Sequence, residues 1–405
     1  MKTPTLKNRI DIIDALRGFS LAGIVIVHVV EQYVAAATPE GTMEAARQGI
    51  ADDIVDAFIF IFLRGKFFAL FSFLFGLSFF IQMDNASSRG ESYGARFIWR
   101  AVILFVIGYV HHMFYRGDIL TIYAILAIFL VPFFNLNIKW AYGVIAIIFL
   151  GFVRIGVFYM MGSEPLLSEM TMDPSDPMLL EYWNIISQGS LPDVLKSNAT
   201  EGMLMKTDFQ IGIFYRGYLT FGFFLVGMLV GKGRYFEHFR DRIKMTKKTL
   251  WVSIAAFIVL FILSGMLFNA VGPEVTFDSF ISIAALQVFD LANVALTLVI
   301  ITLFVLSYKT IRGHRWLSVF SPYGRMALTN YFMQSIIGTF ILYGWGLGYI
   351  GQLRNIHLFG IAIVMIILQV LFSKWWLARF RFGPLEGLWR SATRMEWVSF
   401  RKLEG

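Results

Sequence analysis

The chain has 405 residues, of which 57% are hydrophobic and only 15% charged, and 42 are phenylalanine. A soluble protein carries about 25% charged residues, so this composition, with apolar runs of about 18 residues or more, excludes a soluble enzyme and defines an integral membrane protein. The net charge of +8 reports orientation in a bilayer before it reports nucleic acid, and the absence of cysteine excludes a disulfide framework, a thiolate nucleophile and a cysteine-based metal site.

The expected architecture is all-α: one polytopic transmembrane helical bundle over 1–405, with about ten spans of roughly 20 residues each. In chain order they fall at about 16–37, 54–83, 97–115, 118–135, 139–162, 209–231, 249–270, 280–307, 326–346 and 356–378. No small-residue cleavage site follows the first stretch, so it is expected to stay as a span. The second is too long for one straight helix and carries Arg64, Gly65 and Lys66 in "LRGKFF". It is expected to be a broken helix, or a short interfacial helix followed by a span. The largest acidic loop, about 163–208, contains "PMLLEYWNIISQ", which is expected to form an amphipathic helix on the membrane surface, a cover without chemistry.

Basic residues recur on one side of this ten-span arrangement. They are Lys2, Lys7 and Arg9; Arg89, Arg96 and Arg100; Lys139; the loop at about 232–248; Lys309, Arg312, Arg315 and Arg325; and Arg379, Arg381, Arg390 and Arg394 in the tail 379–405. The excess of positive charge on the inner side puts the N- and C-termini in the cytoplasm. Attraction to anionic headgroups accounts for the same loops without a catalytic duty.

An ionisable group at the centre of a span costs about 3 kcal/mol or more, so each is a candidate for function. His28 and Glu31 lie in the first span, Arg154 in the fifth, Arg216 in the sixth, Asp290 in the eighth, and the polar Asn330 and Gln334 in the ninth. At about 100° per residue, Asp14, Arg17, His28 and Glu31 share one helix face, with Arg17 and His28 about 16 Å apart along the axis. Glu31, one turn beyond His28, is expected to accept a hydrogen bond from the imidazole and raise its basicity. The bland alternative is a buried histidine satisfied by a neighbouring helix. In "HHMFYRGDIL", His111 and His112 end the third span beside Arg116, Gly117 permits a turn, and Asp118 stands where an N-cap would open the fourth helix. His28, His111 and His112 have no metal-ligand spacing on one helix, and no metal is expected.

Three stretches carry a family resemblance: "IDALRGFSLAGIVIV"; "KFFALFSFLFGLSF" with "HHMFYRGDILTIYA"; and "YGRMALTNYFMQS" with "RFRFGPLEGLWR". Through them the chain resembles the YeiB-like family of bacterial inner-membrane proteins, over nearly its whole length. The opening helix is also similar to that of membrane acyltransferases, which begin with Arg, ten residues, then His: here Arg17, "GFSLAGIVIV" and His28. YeiB-like proteins often carry Asn where this chain has His28. The His-containing loop before the second span of the related lysosomal acetyltransferases has no counterpart.

The resemblance implies an acyl-CoA-dependent membrane acyltransferase. Acyl-CoA is then the co-substrate, and the partners are the lipid bilayer and a small-molecule, lipid or sugar acceptor, with no nucleic acid. A homodimer is left open. His28, Glu31, His111 and Asp118 are the catalytic candidates. Asp14, Arg17, Arg64, Lys66, Arg154, Arg216, Asp290, Arg325 and Asn330 are the donor- or substrate-binding candidates. The alternative is a permease for a small anionic solute, motivated by Arg64, Arg154 and Arg216 at membrane depth beside an interrupted span. A third is an assembly or sensing subunit with a degenerate enzyme fold.

Overall fold

The structure, a computed structural model, describes residues 10–171, 173–272 and 277–402. Lys2, Lys7 and Arg9 lie outside the described residues. Among the described residues the secondary structure is helical, apart from one isolated antiparallel bridge between Phe380 and Arg401. The chain opens with α1 (Asp11–Val30), a short α2 (Thr42–Ala46) and α3 (Ile50–Phe58). α3 continues through a π-helical turn (Ile59–Leu63) to a break and then α4 (Lys66–Ser87). α5 (Gly94–Phe114), α6 (Leu120–Asn135), α7 (Ile138–Phe149) and α8 (Phe152–Met161) follow. The acidic loop holds α9 (Pro177–Gln188), α10 (Leu191–Ala199) and α11 (Glu201–Ile211), leading into α12 (Arg216–Lys232). The remainder comprises α13 (Ile243–Val271), α14 (Phe280–Lys309), α15 (Ile311–Leu317), α16 (Ser321–Arg325), α17 (Ala327–Leu342), α18 (Asn355–Arg379) and α19 (Pro384–Arg394).

Among the described residues, six segments are long and apolar enough to cross a membrane: α1, the run Ile50–Ser87, α5, α13, α14 and α18. Counting the bent pairs α7 with α8 (54°) and α11 with α12 (60°) as one span each gives up to eight. The other two expected spans correspond to α6 and α17, apolar helices of 16 residues. At about 1.5 Å per residue each is roughly 24 Å long, short of a hydrocarbon core of about 30 Å.

The expected break in the second stretch is present. Arg64 ends the π-turn, and Gly65 adopts φ +81°, a left-handed conformation that only glycine takes without strain. The expected amphipathic helix is present as α9, with Asp176 as its N-cap accepting from the Met178 amide at 2.8 Å. Its apolar face is covered by protein rather than lipid. Leu179, Tyr182 and Ile186 join the main core cluster, and the Tyr182 hydroxyl donates to the Val34 carbonyl at 2.9 Å. Arg116 is fixed to this cap, 3.4 Å above the Tyr182 ring, with Nε donating to Asn198.

Glycines allow the closest helix contacts. α4 and α12 meet where Gly76 abuts the Phe224 backbone and Gly227 the Phe73 backbone, with no room for a Cβ on either. Within a membrane, where lipid competes equally for apolar surface, such small-residue seams are how helices gain dispersion contact. α1 is the central element, packed by α4, α16, α17 and α18. By contrast, α13 touches chiefly α14 and presents Trp251, Val252, Val259 and Ile262 outward, as a lipid-facing helix would.

Candidate functional site

The turn between α5 and α6 builds the first polar group. Asp118 caps α6, accepting from the amides of Leu120 at 3.1 Å and Thr121 at 2.9 Å and from the Thr121 hydroxyl at 2.9 Å. The same carboxylate accepts from His111 Nδ1 at 2.8 Å, with both side chains fully buried. The expected capping role of Asp118 is present, and the same residue also pairs with His111. Lys206 of α11 adds a cation 3.7 Å from the Asp118 carboxylate and donates to Thr121 at 2.7 Å. With its proton on Nδ1, His111 keeps a lone pair on Nε2, which is buried and has no hydrogen-bond partner among the described residues.

His28 sits beside this pair. Its ring is 4.9 Å from that of Tyr115, 5.7 Å from Tyr33 and 6.2 Å from Tyr331. The Tyr331 ring is also 4.8 Å from His111. The expected partner of His28, Glu31, is corrected. Glu31 is the residue on which α1 ends, and it accepts from Arg64 Nε at 2.7 Å. His28 Nδ1 instead faces Gln334 Nε2 at 3.2 Å. Gln334 Oε1 is occupied by the Tyr33 hydroxyl at 2.5 Å, so the amide nitrogen donates to His28. Assigned from this network, the neutral His28 proton lies on Nε2. The two histidines thus offer opposite functions: His111 a lone pair, His28 an N–H.

The continuous polar face from Asp14 to Glu31 is also corrected. Leu21 and Ile24 share that face between Arg17 and His28, and both are buried in the main apolar cluster. Arg17 belongs to a different feature. It donates to Asp14 at 2.9 Å and to Ser78 at 2.9 Å, and it lines a cavity of about 250 Å³. Arg100, Arg325, Gln82 and Glu386 are its other charged or amide residues, and Phe71, Phe75, Leu104 and Leu328 are among its apolar walls. Arg100 is stacked 3.5 Å from the Trp389 ring. Glu386 caps α17 through the Leu328 and Thr329 amides and the Thr329 hydroxyl. Burial pushes its carboxyl above the usual range against those three bonds. The cavity reaches Leu120 and Tyr331, the residues that also border the His111–Asp118 pair.

A third group lies apart. Arg154 is fully buried, donating to the Ile213 carbonyl at 3.1 Å, to Gln287 at 2.8 Å and to Asp290. Arg216 stands 3.9 Å from the same Asp290, and Lys66 donates to the Phe60 carbonyl at 2.9 Å. Asn330 belongs to none of the three. Its amide ties α17 to α16 and α18 through the Tyr323 carbonyl and Ser373. The candidate residues therefore divide into a histidine group, a cavity group and a cation group. Lys206, Tyr331, Tyr115 and Glu386 escaped the sequence reading. Lys206 lies in an acidic loop, and nothing in its neighbours shows that α11 folds it onto α6. Among the described residues no three His, Asp or Glu side chains are grouped to hold a metal ion.

A polytopic α-helical membrane protein with this buried His–Asp pair beside an arginine-lined cavity is the class the fold defines. Residues 230–396 match the family described as "Protein of unknown function (DUF418)". The chain is 29% identical to the uncharacterized protein YxaH of Bacillus subtilis over 416 residues, covering 98% of each chain. It is 25% identical over 405 residues to an uncharacterized 39.9 kDa protein of the amylase 3′ region of Bacillus acidopullulyticus, covering 96% of this chain and 94% of that one. Over 70 residues, 17% of this chain and 18% of the relative, it is 43% identical to the uncharacterized protein YeiB of Escherichia coli. The YeiB-like resemblance is borne out by these matches.

Proposed function

We propose that the protein is a membrane-embedded acyltransferase of the bacterial cytoplasmic membrane, moving an acyl group from cytosolic acyl-CoA to an acceptor hydroxyl or amine. The observation that carries this reading is the cavity lined by Arg17 and Tyr331: cations, apolar walls, and a tyrosine whose ring lies 4.8 Å from that of a histidine whose Nδ1 is held by Asp118. In the orientation set by the basic loops, with about ten spans and both termini inside, Arg17, Arg100 and Arg325 face the cytosol. There they meet the phosphates of CoA, and the acyl chain lies along the apolar walls.

The base in this proposal is His111, with His28 as a hydrogen-bond donor. The acceptor O–H proton passes to His111 Nε2 as the oxygen attacks the thioester carbonyl carbon. The His28 N–H stabilises the oxyanion, the C–S bond breaks, and the CoA thiolate takes the proton from His111. Asp118 fixes the His111 tautomer and stabilises the transient imidazolium, and Tyr331 governs passage from the cavity to both rings. The test is thiol release from acyl-CoA by purified protein supplied with a membrane extract as acceptor source. The chain has no cysteine, so the protein adds nothing to the thiol signal, and the extract without acyl-CoA gives the background. His111→Ala is expected to lower turnover about 10²- to 10⁴-fold, the usual share of a general base. CoA release that ignores both His111→Ala and His28→Ala sinks the proposal.

The permease alternative draws on the cation group around Asp290. Solute flux in proteoliposomes that depends on Arg154 and Arg216 but not on His111 favours it. Absence of such flux removes it.

A further inference from the structure

α4 and α12 run side by side in the same direction: Phe68 meets Phe223 near one end, and Gly231 meets Phe80 towards the other. Their first residues, Lys66 and Arg216, are therefore neighbours, and the Arg216 guanidinium stands 5.1 Å from the Phe68 ring. Two helix amino termini converge here, each with unpaired backbone N–H groups and the positive end of its dipole.

Cations outnumber their paired carboxylates at this place. Among the described residues, Arg64, Arg154 and Arg216 pair with Glu31 and Asp290, and Asp290 is also near Lys66. Glu31 is taken by Arg64, and Asp290 chiefly by Arg154, each of whose three nitrogens donates to a protein acceptor. Lys66 is only 2% exposed and gives one hydrogen bond, to the Phe60 carbonyl, although an ammonium has three to give. Among the described residues, the Arg216 guanidinium has an ion-pair approach of 3.9 Å to Asp290 and ring contacts with Phe68 and Phe209. Its side chain is 25% exposed, which leaves the place open to a ligand.

A second, neutral donor points to the same place. Asn293 of α14 is 6% exposed, and its Nδ2 has no hydrogen-bond partner among the described residues. That nitrogen is 3.4 Å from where a Cβ on Gly65 would stand, so it is aimed at the Arg64–Lys66 turn. A buried amide donor left unpaired is destabilising, and an acceptor brought to it removes that cost.

We infer that Lys66, Arg216 and Asn293, at the joined amino ends of α4 and α12, form a binding site for a phosphate group. A phosphate supplies several acceptor oxygens and the missing negative charge together. The group can arrive on an anionic phospholipid or on a soluble molecule. The site is distinct from the cavity at Arg17, and it stands whether or not acyl transfer occurs.

The test uses the full chain in phosphate-free maltoside detergent, read by thermal unfolding and by native mass spectrometry. Phosphatidylglycerol and inorganic phosphate are added separately, with sodium chloride at matched ionic strength as control. A raised unfolding midpoint with phosphatidylglycerol alone supports the site and assigns a lipid source. A rise with both supports it and assigns the phosphate group itself. Lys66→Met, Arg216→Gln and Asn293→Leu are each expected to weaken binding roughly tenfold, the loss of one charge-assisted or otherwise unpaired bond. Arg216 is partly exposed, so Arg216→Gln carries the test should Lys66→Met fail to fold. No rise with either probe, or the same rise in Arg216→Gln and Asn293→Leu, overturns the inference.

Discussion

Asp118 is the residue on which most at this scale depends. It closes the amino end of α6 and orients His111 with the same two oxygens, while Lys206 balances its charge. Removing it leaves two amides without their acceptor and a buried lysine without its counter-ion. Asp118→Ala is therefore expected to destabilise the protein by about 2–4 kcal/mol, the sum of a lost cap and a buried charged hydrogen bond. Thermal unfolding of the detergent-solubilised protein reads this directly. Asp118→Asn keeps a cap acceptor but loses the charge. It is expected to unfold closer to the parent protein while impairing CoA release about as severely as His111→Ala. Equal thermal loss in both variants would mean that the carboxylate acts through its charge in stability as well. The pairing of His28 with Gln334 belongs to this scale too: periodicity places His28 on a face of α1 but says nothing of which side chain meets it.

Helix pairs come next. The α4–α12 seam rests on Gly76 and Gly227, where the partner backbone occupies the space of a side chain. Gly227→Leu is expected to force the helices apart and cost about 3 kcal/mol or more, since overpacking in a rigid seam has no cheap relaxation. Gly265→Leu on α13, where a Cβ meets nothing within 4 Å, is the matched control and is expected to leave the unfolding midpoint unchanged or raised. The buried Arg154–Asp290 pair joins α8 to α14. Breaking one side strands a buried charge, so Asp290→Asn is expected to cost about 3–5 kcal/mol. Arg154→Met combined with Asp290→Leu is expected to cost less than the sum of the single changes. Additive losses in that double-mutant cycle would show that the two residues do not act as a pair.

For the whole molecule the open question is which end faces the cytoplasm. Because the chain has no cysteine, single exposed cysteines report sidedness without background. Ser175→Cys in the acidic loop is expected to react with an impermeant maleimide in spheroplasts, and His238→Cys in the basic loop only after permeabilisation. The reverse pattern would invert the orientation and turn the cavity at Arg17 away from cytosolic CoA.

Much of this was legible in one dimension. Apolar length depends on the chain alone, so the membrane class, the helical architecture and most span positions could be read without neighbours. The break at Arg64–Gly65 was equally local, because two cations and a glycine interrupt an apolar run. The amphipathic helix 177–188 was readable from its pattern, but not what it covers. Helical periodicity stops where a helix stops, and α1 ends at Val30. Glu31 therefore turned to Arg64 instead of continuing the face of His28. Lys206 reached Asp118, Tyr331 came between the cavity and the histidines, and Lys66 met Arg216 only because distant helices pack together. Hydrophobic burial is non-directional and is written into composition. Polar partnership depends on distance and angle, so the tertiary structure alone decided which of the candidate residues meet.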